Sequence, residues 1–278
     1  MRSRSPTPPA VKLVTSLANP IVKDIRGLAL AKNRKASGRF VAEGLKLVAD
    51  AVTAGWAIDT LVHASAVAGQ PLVARLAATC RAQGGSVIAV SAAVLAKISR
   101  RDNPQTVLGV FRQQLMPAGA IKPGADDLWI ALERVRDPGN LGTIVRTADA
   151  AGASGVILIG DTVDPFSMEA VRATMGSVFH VPLARTTPAE FAAIARGWPG
   201  AVVGTHLAGK TDYREARYKT PVLLAMGGEQ AGLSPEVAGL CRTLVKIPMA
   251  GKADSLNLAV ATGIMAFEIM RARLKLDG

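Results

Sequence analysis

The sequence predicts an α/β protein of two domains, a small α/β domain followed by a larger one built on a mostly parallel sheet. Three observations lead to this. The chain has 278 residues, which is long for one hydrophobic core and sufficient for two. Its excess positive charge lies entirely in the first part of the chain. From Leu128 onward, continuous apolar runs alternate with helical segments, as in parallel sheets that are buried on both faces.

The charge asymmetry indicates a polyanionic partner. Residues 1–125 hold 17 Lys and Arg against 5 Asp and Glu, which accounts for the whole net charge of +12. Residues 126–278 hold 16 of each sign. One domain that carries all the excess charge is typical of a protein that binds nucleic acid with that domain and has a different function in the other.

Composition excludes several classes of protein. The two cysteines, Cys80 and Cys241, lie far apart and have no neighbouring ligands, so we expect no metal site and a reducing, cytoplasmic setting. The uncharged run from Ser255 to Phe267 is too short to cross a bilayer, and we expect no membrane partner. The start, Met1 to Pro9, lacks the apolar region of a secretory signal. An organellar transit peptide is an alternative, although three prolines oppose the amphipathic helix it needs.

The first domain is predicted at residues 13–115, after a disordered basic tail at residues 1–12. A helical pattern runs from Asn19 to Ala54. It is interrupted by a predicted loop with four cations and no acid, whose members are expected to contact nucleic-acid phosphates: Lys32, Arg34, Lys35 and Arg39. A solvated loop without that role is the alternative. Short apolar runs then alternate with helical segments up to Phe111.

The second domain is predicted at residues 127–278, after a Pro- and Gly-containing linker at residues 116–126. Its strands are predicted at four apolar runs: 128–132, 156–159, 201–203 and 222–226. Helices are predicted between them and at the end of the chain: 141–151, 168–174, 189–196 and from Ser255 to about Leu274. Ser234 and Pro235 have the residue types of an N-cap and a first helical position.

Three loops of this domain are richer in Gly, Pro and polar residues than turning requires. They span residues 133–148, 226–234 and 247–261. Gly227 and Gly228, at a strand end, permit the backbone to approach a ligand closely. There is no Gly-x-Gly-x-x-Gly motif after a strand and no Walker phosphate loop, which opposes a Rossmann nicotinamide enzyme or a P-loop nucleotidase. The residues alone therefore indicate a small-ligand site next to a nucleic-acid-binding domain.

In order and spacing, the three loops resemble the signature motifs of the SpoU/TrmH family of RNA 2′-O-ribose methyltransferases. The matching residues are Asn140 with Arg146, then Gly228-Glu229 with Gly232 and Ser234, then Ile247-Pro248-Met249 with Gly251 and Ser255-Leu256-Asn257. The resemblance covers about 150 residues, from Leu128 to Arg271. The first domain is similar, less specifically, to the substrate-binding domain of many members through residues 40–48.

The resemblance implies a trefoil knot in the second domain, a homodimer, and methyl transfer from S-adenosylmethionine to a ribose 2′-hydroxyl without a metal. Ribosomal RNA is the expected partner, with tRNA as the alternative. The catalytic positions implied are Arg146, Asn140, Glu229, Ser255 and Asn257. The cofactor-binding positions implied are Gly227, Gly228, Ile247, Met249 and Leu256.

Chemistry constrains the role of Arg146. A guanidinium stays protonated, so we expect it to hold an RNA phosphate and stabilise the developing alkoxide. A role as base requires a phosphate to accept the proton. Two further readings of the family resemblance remain open, a catalytically idle RNA-binding protein and a knotted enzyme that methylates a base. The three histidines are scattered and are expected to be packed or exposed rather than catalytic.

Overall fold

The computed structural model describes residues 13–101 and 103–275, so the predicted tail at residues 1–12 lies outside the described residues. The chain divides after Gln113 into two compact units. Each has its own sheet and its own core. The two sheets confirm the predicted α/β class, with a smaller mixed unit first and a larger parallel unit second.

The first unit is a five-stranded mixed sheet within the described residues, in the order β1-β4-β3-β5-β2. Its strands are β1 (Leu13–Val14), β2 (Arg39–Glu43), β3 (Ile58–Ala64), β4 (Ser86–Val90) and β5 (Val107–Arg112). Its helices are α1 (Pro20–Gly27), α2 (Ala31–Ser37), α3 (Leu45–Thr53), α4 (Pro71–Ala82) and α5 (Ala92–Ser99). Phe40 on β2 packs in the core against the rings of Trp56 and Phe111, each with its centroid 6.0 Å away.

Two expectations for this unit were wrong. The helical pattern from Asn19 to Ala54 is interrupted by β2, which pairs antiparallel with β5. Residues 40–43 are all buried, so the strand lacks the alternation that would have separated it from a helix. The predicted cationic loop is largely the helix α2, which ends where Gly38 adopts a left-handed conformation with φ 65°.

The second unit is a seven-stranded sheet within the described residues, in the order β10-β12-β9-β11-β6-β7-β8, and all neighbouring strands are parallel. Its strands are β6 (Leu128–Glu133), β7 (Gly155–Ile159), β8 (Leu183–Thr186), β9 (Ala201–Thr205), β10 (Thr211–Asp212), β11 (Val222–Met226) and β12 (Thr243–Lys246). Its helices are α6 (Pro138–Ala150), α7 (Met168–Ala173), α8 (Pro188–Arg196), α9 (Pro235–Ala238) and α10 (Leu258–Met270).

The four predicted strands of this unit coincide with β6, β7, β9 and β11, and Ser234 caps α9 as expected, accepting from the Val237 N–H. The sequence prediction omitted β8, β10 and β12, which are short. It also began the last helix too early, because Asn257 caps α10 with its side chain and keeps residues 255–257 out of the helix. The predicted linker at residues 116–126 lies in this unit, where Met116 pairs with Ala184 of β8.

Close helix packing fixes the position of α6. A Cβ at Gly142 would lie 2.4 Å from the Ala173 Cβ and 2.5 Å from the Ala170 carbonyl oxygen. Only glycine therefore lets α6 approach α7 this closely. On its other side, α6 packs against α10, where a Cβ at Gly263 would meet Thr147 at an ordinary 3.6 Å.

Four neighbouring strands bring the three polar loops to one edge of the sheet. In register, Met226 pairs with Leu132, Ala225 with Gly204, and Thr205 with Val245. The loops that follow β6, β9, β11 and β12 therefore leave the sheet side by side. Ligands of parallel sheets bind at this carboxyl edge. Within the described ranges, no helix is both long and apolar enough to cross a membrane.

Candidate active site

A cavity of about 530 Å³ opens at the carboxyl edge of the second sheet. Its wall is formed by the loops after β9, β11 and β12 and by the start of α10: residues 205–207, 226–232, 245–247, 249, 254–258 and 261. All five predicted cofactor-binding residues lie in this wall: Gly227, Gly228, Ile247, Met249 and Leu256. Of the predicted catalytic residues, the wall includes Glu229, Ser255 and Asn257.

Two glycines make part of the wall from backbone alone. A Cβ at Gly227 would lie 1.9 Å from the carbonyl carbon of Gly232, and one at Gly228 would lie 2.7 Å from the Arg134 carbonyl oxygen. The loop closes on itself, because the Gly232 N–H donates to the Gly228 carbonyl at 3.0 Å. No larger residue fits at either position without displacing the loop, so peptide groups rather than side chains face the cavity here.

A chain of side-chain hydrogen bonds joins the three motifs. The Asn140 Nδ2 donates to Glu229 Oε1 at 3.0 Å, and the Asn257 Nδ2 donates to Asn140 Oδ1 at 2.9 Å. The Asn257 Oδ1 accepts from the N–H groups of Ala259 and Val260, which caps α10. The structure thus brings together one residue from each predicted motif, although they lie 89 and 117 positions apart in sequence.

These hydrogen bonds hold the Glu229 carboxylate in its ionised form. Partial burial is the largest influence and raises its pKa, but the Asn140 side chain and several backbone N–H groups together outweigh burial, so the pKa is lowered. The Asn140 N–H is itself engaged at the start of α6, where it donates to Asp137 Oδ1 at 2.6 Å. Helix capping and the polar chain therefore fix Asn140 from two directions.

Arg146 stands apart from this cluster. It follows Asn140 by six helical residues, which places it about 9 Å further along α6 and about 120° around the helix. Its side chain is exposed, it is not part of the cavity wall, and it forms no hydrogen bond or ion pair with the part of the chain that the structure describes. The guanidinium is therefore available to a ligand that approaches the outer surface of α6.

The four predicted phosphate-binding cations of the first unit divide into two kinds. Arg34 is 3% exposed and donates through Nη1 to the carbonyls of Leu28 and Ala29 at 2.8 and 3.0 Å. Arg39 pairs with Asp24 at 2.9 Å and with Asp59 at 3.4 Å. Both are occupied by the fold, and the expectation that Arg34 faces RNA is corrected by its burial.

By contrast, Lys32 and Lys35 are exposed on α2. They are the two members of the predicted set that present their charge to solvent without an ion pair among the described residues. A phosphate can reach both without breaking a contact of the fold.

Sequence reasoning missed two parts of the cavity wall, residues 205–207 and residues 245–246. For residues 205–207 the signal was available, because they come shortly after the apolar run 201–203, at the carboxyl end of a buried strand. His206 lines the cavity, and its Nδ1 accepts from the Ala208 N–H at 3.1 Å, which fixes the orientation of the ring. Among the described residues, no group of three or more His, Cys, Asp or Glu is arranged to hold a metal ion.

Comparison with known families gives a match for each unit. Residues 127–267 match the profile of the SpoU rRNA Methylase family. Residues 19–109 match the profile of an MRM3-like substrate binding domain.

Curated relatives extend along nearly the whole chain. The chain is 32% identical to the 23S rRNA (uridine(2479)-2′-O)-methyltransferase of Streptomyces viridochromogenes, over 98% of this chain and 96% of the relative. It is 29% identical to the 23S rRNA (guanosine(2553)-2′-O)-methyltransferase RlmP of Bacillus subtilis, over 93% of this chain and 99% of the relative.

Solved structures show the same architecture. The AdoMet-bound rRNA methyltransferase from Sinorhizobium meliloti is 56% identical, with a TM-score of 0.90 over 95% of this chain and 99% of that one. The AdoMet complex of the SpoU methyltransferase AviRb from Streptomyces viridochromogenes is 32% identical, with a TM-score of 0.83 over 92% of this chain and 98% of that one.

The polar chain generates a prediction about pH. Replacing Asn140 by Ala removes a donor to Glu229 and leaves the effect of burial less opposed, so the pKa of Glu229 should rise. Because the folded pKa is depressed in the wild type, the stability from ionised Glu229 is present above the unfolded pKa and is lost as pH falls through the folded pKa. The stability from ionised Glu229 should therefore be smaller in Asn140→Ala, and its loss should be complete at a higher pH, because the folded pKa rises while the unfolded pKa is unchanged. NMR titration of the Glu δ-carbons measures the pKa directly.

Thr143→Ala serves as the matched control for this titration. Thr143 is exposed one turn further along α6, and its side chain forms no hydrogen bond with the described residues. Its replacement should leave the Glu229 titration unchanged. An Asn140→Ala protein in which Glu229 titrates as in the wild type contradicts the hydrogen-bonded chain.

Proposed function

The chain belongs to the SpoU rRNA methylase family, and we propose on that premise that it transfers a methyl group from S-adenosylmethionine to a ribose 2′-hydroxyl of ribosomal RNA. The observation that carries the proposal is the chain Glu229–Asn140–Asn257, which joins all three motifs beside one cavity. The names of the relatives support 23S ribosomal RNA over tRNA as the substrate.

The cavity fits the cofactor. Its volume of about 530 Å³ is within the range of small-ligand sites. The peptide groups of the Gly227–Gly228 turn are unshielded by side chains and can hydrogen-bond an adenosyl group. Ile247, Met249 and Leu256 add apolar surface to the same wall, which suits the base and the aliphatic part of the cofactor.

In the proposed reaction, bound S-adenosylmethionine supplies an activated methyl group on a sulfonium. The protein must then orient the ribose and assist loss of the hydroxyl proton. Ser255 and Asn257 lie in the cavity wall, which supports a role for both in hydrogen-bonding the ribose and the cofactor. Asn140 and Glu229 fix the orientation of the Asn257 amide through the chain of hydrogen bonds.

Arg146 acts on the RNA in this proposal. A guanidinium remains protonated at working pH, so it serves as a cation that holds a phosphate and stabilises negative charge developing on the 2′-oxygen. Its position outside the cavity wall supports a role toward RNA rather than toward the cofactor.

We also propose that the chain is a homodimer through α10. The exposed stripe consists of Val260 and Phe267, 51% and 46% exposed, with half-buried Ile264 between them. These positions, spaced by four and three residues, share one face of the helix. Leu258 and Met265 of the same helix are buried in the core and do not belong to this stripe. An exposed apolar stripe of this kind is typical of an interface.

The family resemblance further supports a trefoil knot in the second unit. Residues 226–232 line the same cavity as residues 245–247, 249 and 254–258, as expected if the end of the chain packs tightly against an earlier loop. A ribosomal RNA substrate supports a cytoplasmic location.

The dimer proposal predicts the effect of charge on the stripe. Phe267→Glu should convert a dimer into a monomer at micromolar concentration, because it buries an unpaired carboxylate in the interface. Sedimentation velocity measures the change. The matched variant Arg185→Ala, on β8, changes an exposed residue of the same unit away from α10 and should remain dimeric. A wild-type protein that sediments as a monomer contradicts the proposal.

The catalytic proposal predicts a selective loss in Arg146→Ala. Turnover should fall by about 10²–10³, the scale of one lost electrostatic group, while affinity for S-adenosylmethionine stays unchanged. Arg146→Lys should also be poor, because an ammonium lacks the planar fork of donors. The measurement is transfer of labelled methyl from S-adenosylmethionine to ribosomal RNA, with mapping of the 2′-O-methyl position.

Three outcomes of that assay contradict the proposal. Normal turnover in Arg146→Ala makes the position merely structural. Wild-type protein that binds the cofactor and RNA but transfers no methyl is the catalytically idle alternative. Methylation of tRNA instead of ribosomal RNA, or of a base instead of a ribose, changes the substrate.

The first unit is proposed to hold the RNA backbone, with Lys32 and Lys35 as contacts. Replacing both by Ala should flatten the slope of log K against log salt by about 1.4–1.8, at 0.7–0.9 per phosphate contact. Filter binding over a salt series measures this slope. Arg34→Ala should instead lower the thermal unfolding temperature, because two backbone carbonyls lose their donor. An unchanged slope in the double variant overturns the assignment of the two lysines.

A further inference from the structure

Glu133, the last residue of β6, and Arg134, which follows it, contact the loop Gly227–Ser234 that forms part of the cavity wall. Glu133 is 7% exposed, and its Oε2 accepts from the Ser234 N–H at 2.8 Å. Ser234 is the N-cap of α9 and ends the loop that starts at Gly227. The Glu133 carboxylate is therefore a buried anchor for the far end of that loop.

Arg134 contacts the same loop at two further points. Its carbonyl oxygen lies against Gly228, where any Cβ would come within 2.7 Å. Its Nη2 donates to the Gly232 carbonyl at 3.4 Å, and its Nε lies 3.8 Å from Glu133 Oε1. The guanidinium thus bridges the anchor and the turn.

The backbone of Arg134 is in an uncommon conformation. Its φ is 55°, a region that Asn and Gly tolerate better than residues with long side chains. A conformation of this kind persists where surrounding contacts determine it. Here the contacts are those of its carbonyl with Gly228 and of its guanidinium with Gly232.

These contacts matter because three residues of the cavity wall, Gly227, Gly228 and Gly232, have no side chain that could hold the loop in place. Leu233 is buried in the core and Glu229 is bonded to Asn140, but Gly232 between them has no side chain to hold it. Two hydrogen bonds fix the Gly232 peptide, one from its N–H to the Gly228 carbonyl and one from the Arg134 guanidinium to its own carbonyl.

We propose that Arg134 is a positioning residue that clamps the Gly227–Ser234 loop and thereby sets the affinity of the cavity for its cofactor. Only the identity of that cofactor as S-adenosylmethionine rests on the proposed function. The clamping of the loop is a property of the protein alone and can be measured without a ligand.

Three variants separate the guanidinium from the backbone conformation. Arg134→Ala removes the side chain and disfavours the positive φ. Arg134→Asn removes the guanidinium but tolerates that φ. Arg134→Lys keeps the charge without the fork. The matched control is Arg136→Ala, two residues further, whose exposed side chain pairs with Asp161 at 2.7 Å and does not reach the loop.

The first measurement is amide hydrogen exchange in the ligand-free, full-length protein. The amides of Gly232 and Ser234 should exchange about five- to twentyfold faster in Arg134→Ala and Arg134→Asn than in the wild type, the scale of one lost charge-assisted hydrogen bond. Arg134→Lys should lie between them and the wild type. Arg136→Ala should exchange as the wild type does at both amides.

The second measurement is calorimetric binding of S-adenosylmethionine. The dissociation constant should rise by a similar factor in Arg134→Ala and Arg134→Asn, while kcat at saturating cofactor falls less than twofold. The Lys variant should recover part of the affinity. A purely structural role would instead lower the thermal unfolding temperature without this split between affinity and kcat.

The results distinguish the two proposals. Wild-type exchange and affinity in a folded Arg134→Ala protein overturn the clamp, as does wild-type behaviour of Arg134→Asn, which would assign the effect to backbone conformation. Faster loop exchange in the variants, combined with no cofactor binding by the wild type, supports the clamp and removes the proposed function.

Discussion

One amide side chain, that of Asn140, joins the three motif loops of the second unit. Its nitrogen donates to Glu229, its oxygen accepts from Asn257, and its backbone N–H donates to the side chain of Asp137, the N-cap of α6. A carboxylate in place of this amide could not donate, and an amine could not accept. Asparagine is therefore the residue type that satisfies an acceptor on one loop and a donor on another at the same time.

This arrangement requires that three loops reach the same edge of the sheet. Parallel pairing in register provides that, because β6, β9, β11 and β12 all end at one level. Glycine is also required at two positions. Gly142 lets α6 approach α7 closely, and Gly227 lets the loop after β11 pass close to Gly232. The chain of hydrogen bonds among Glu229, Asn140 and Asn257 therefore depends on strand register and on glycines that lie two residues from Asn140 and from Glu229.

Much of this was predictable from sequence, and the failures have physical causes. Continuous apolar runs revealed β6, β7, β9 and β11, because strands buried on both faces have no polar positions. The four-residue strand β8 contains Arg185 and has too short a run to be recognised. In the first unit, β2 was assigned to a helix, because burial on both faces removed its alternation.

Sequence reasoning located the residues of the cavity wall better than it located the exposed cations. Loop positions such as Gly227 and Leu256 follow from motif spacing, and they lie in the cavity wall. A count of cations, however, does not show which of them the fold uses. Arg34 is buried and donates to the carbonyls of Leu28 and Ala29, and the number of cations in a segment does not reveal such contacts. The support from Arg134 likewise depends on Gly232, 98 positions away.

Asn257 connects the cavity with the helix α10. Its side chain both caps α10 and completes the polar chain beside the cavity. In the proposed dimer, a small molecule in the cavity and a second subunit on α10 would both need this residue in place. Ordering it costs conformational entropy, and whichever partner binds first would lower the cost that remains for the other, so cofactor binding and subunit assembly would be linked equilibria.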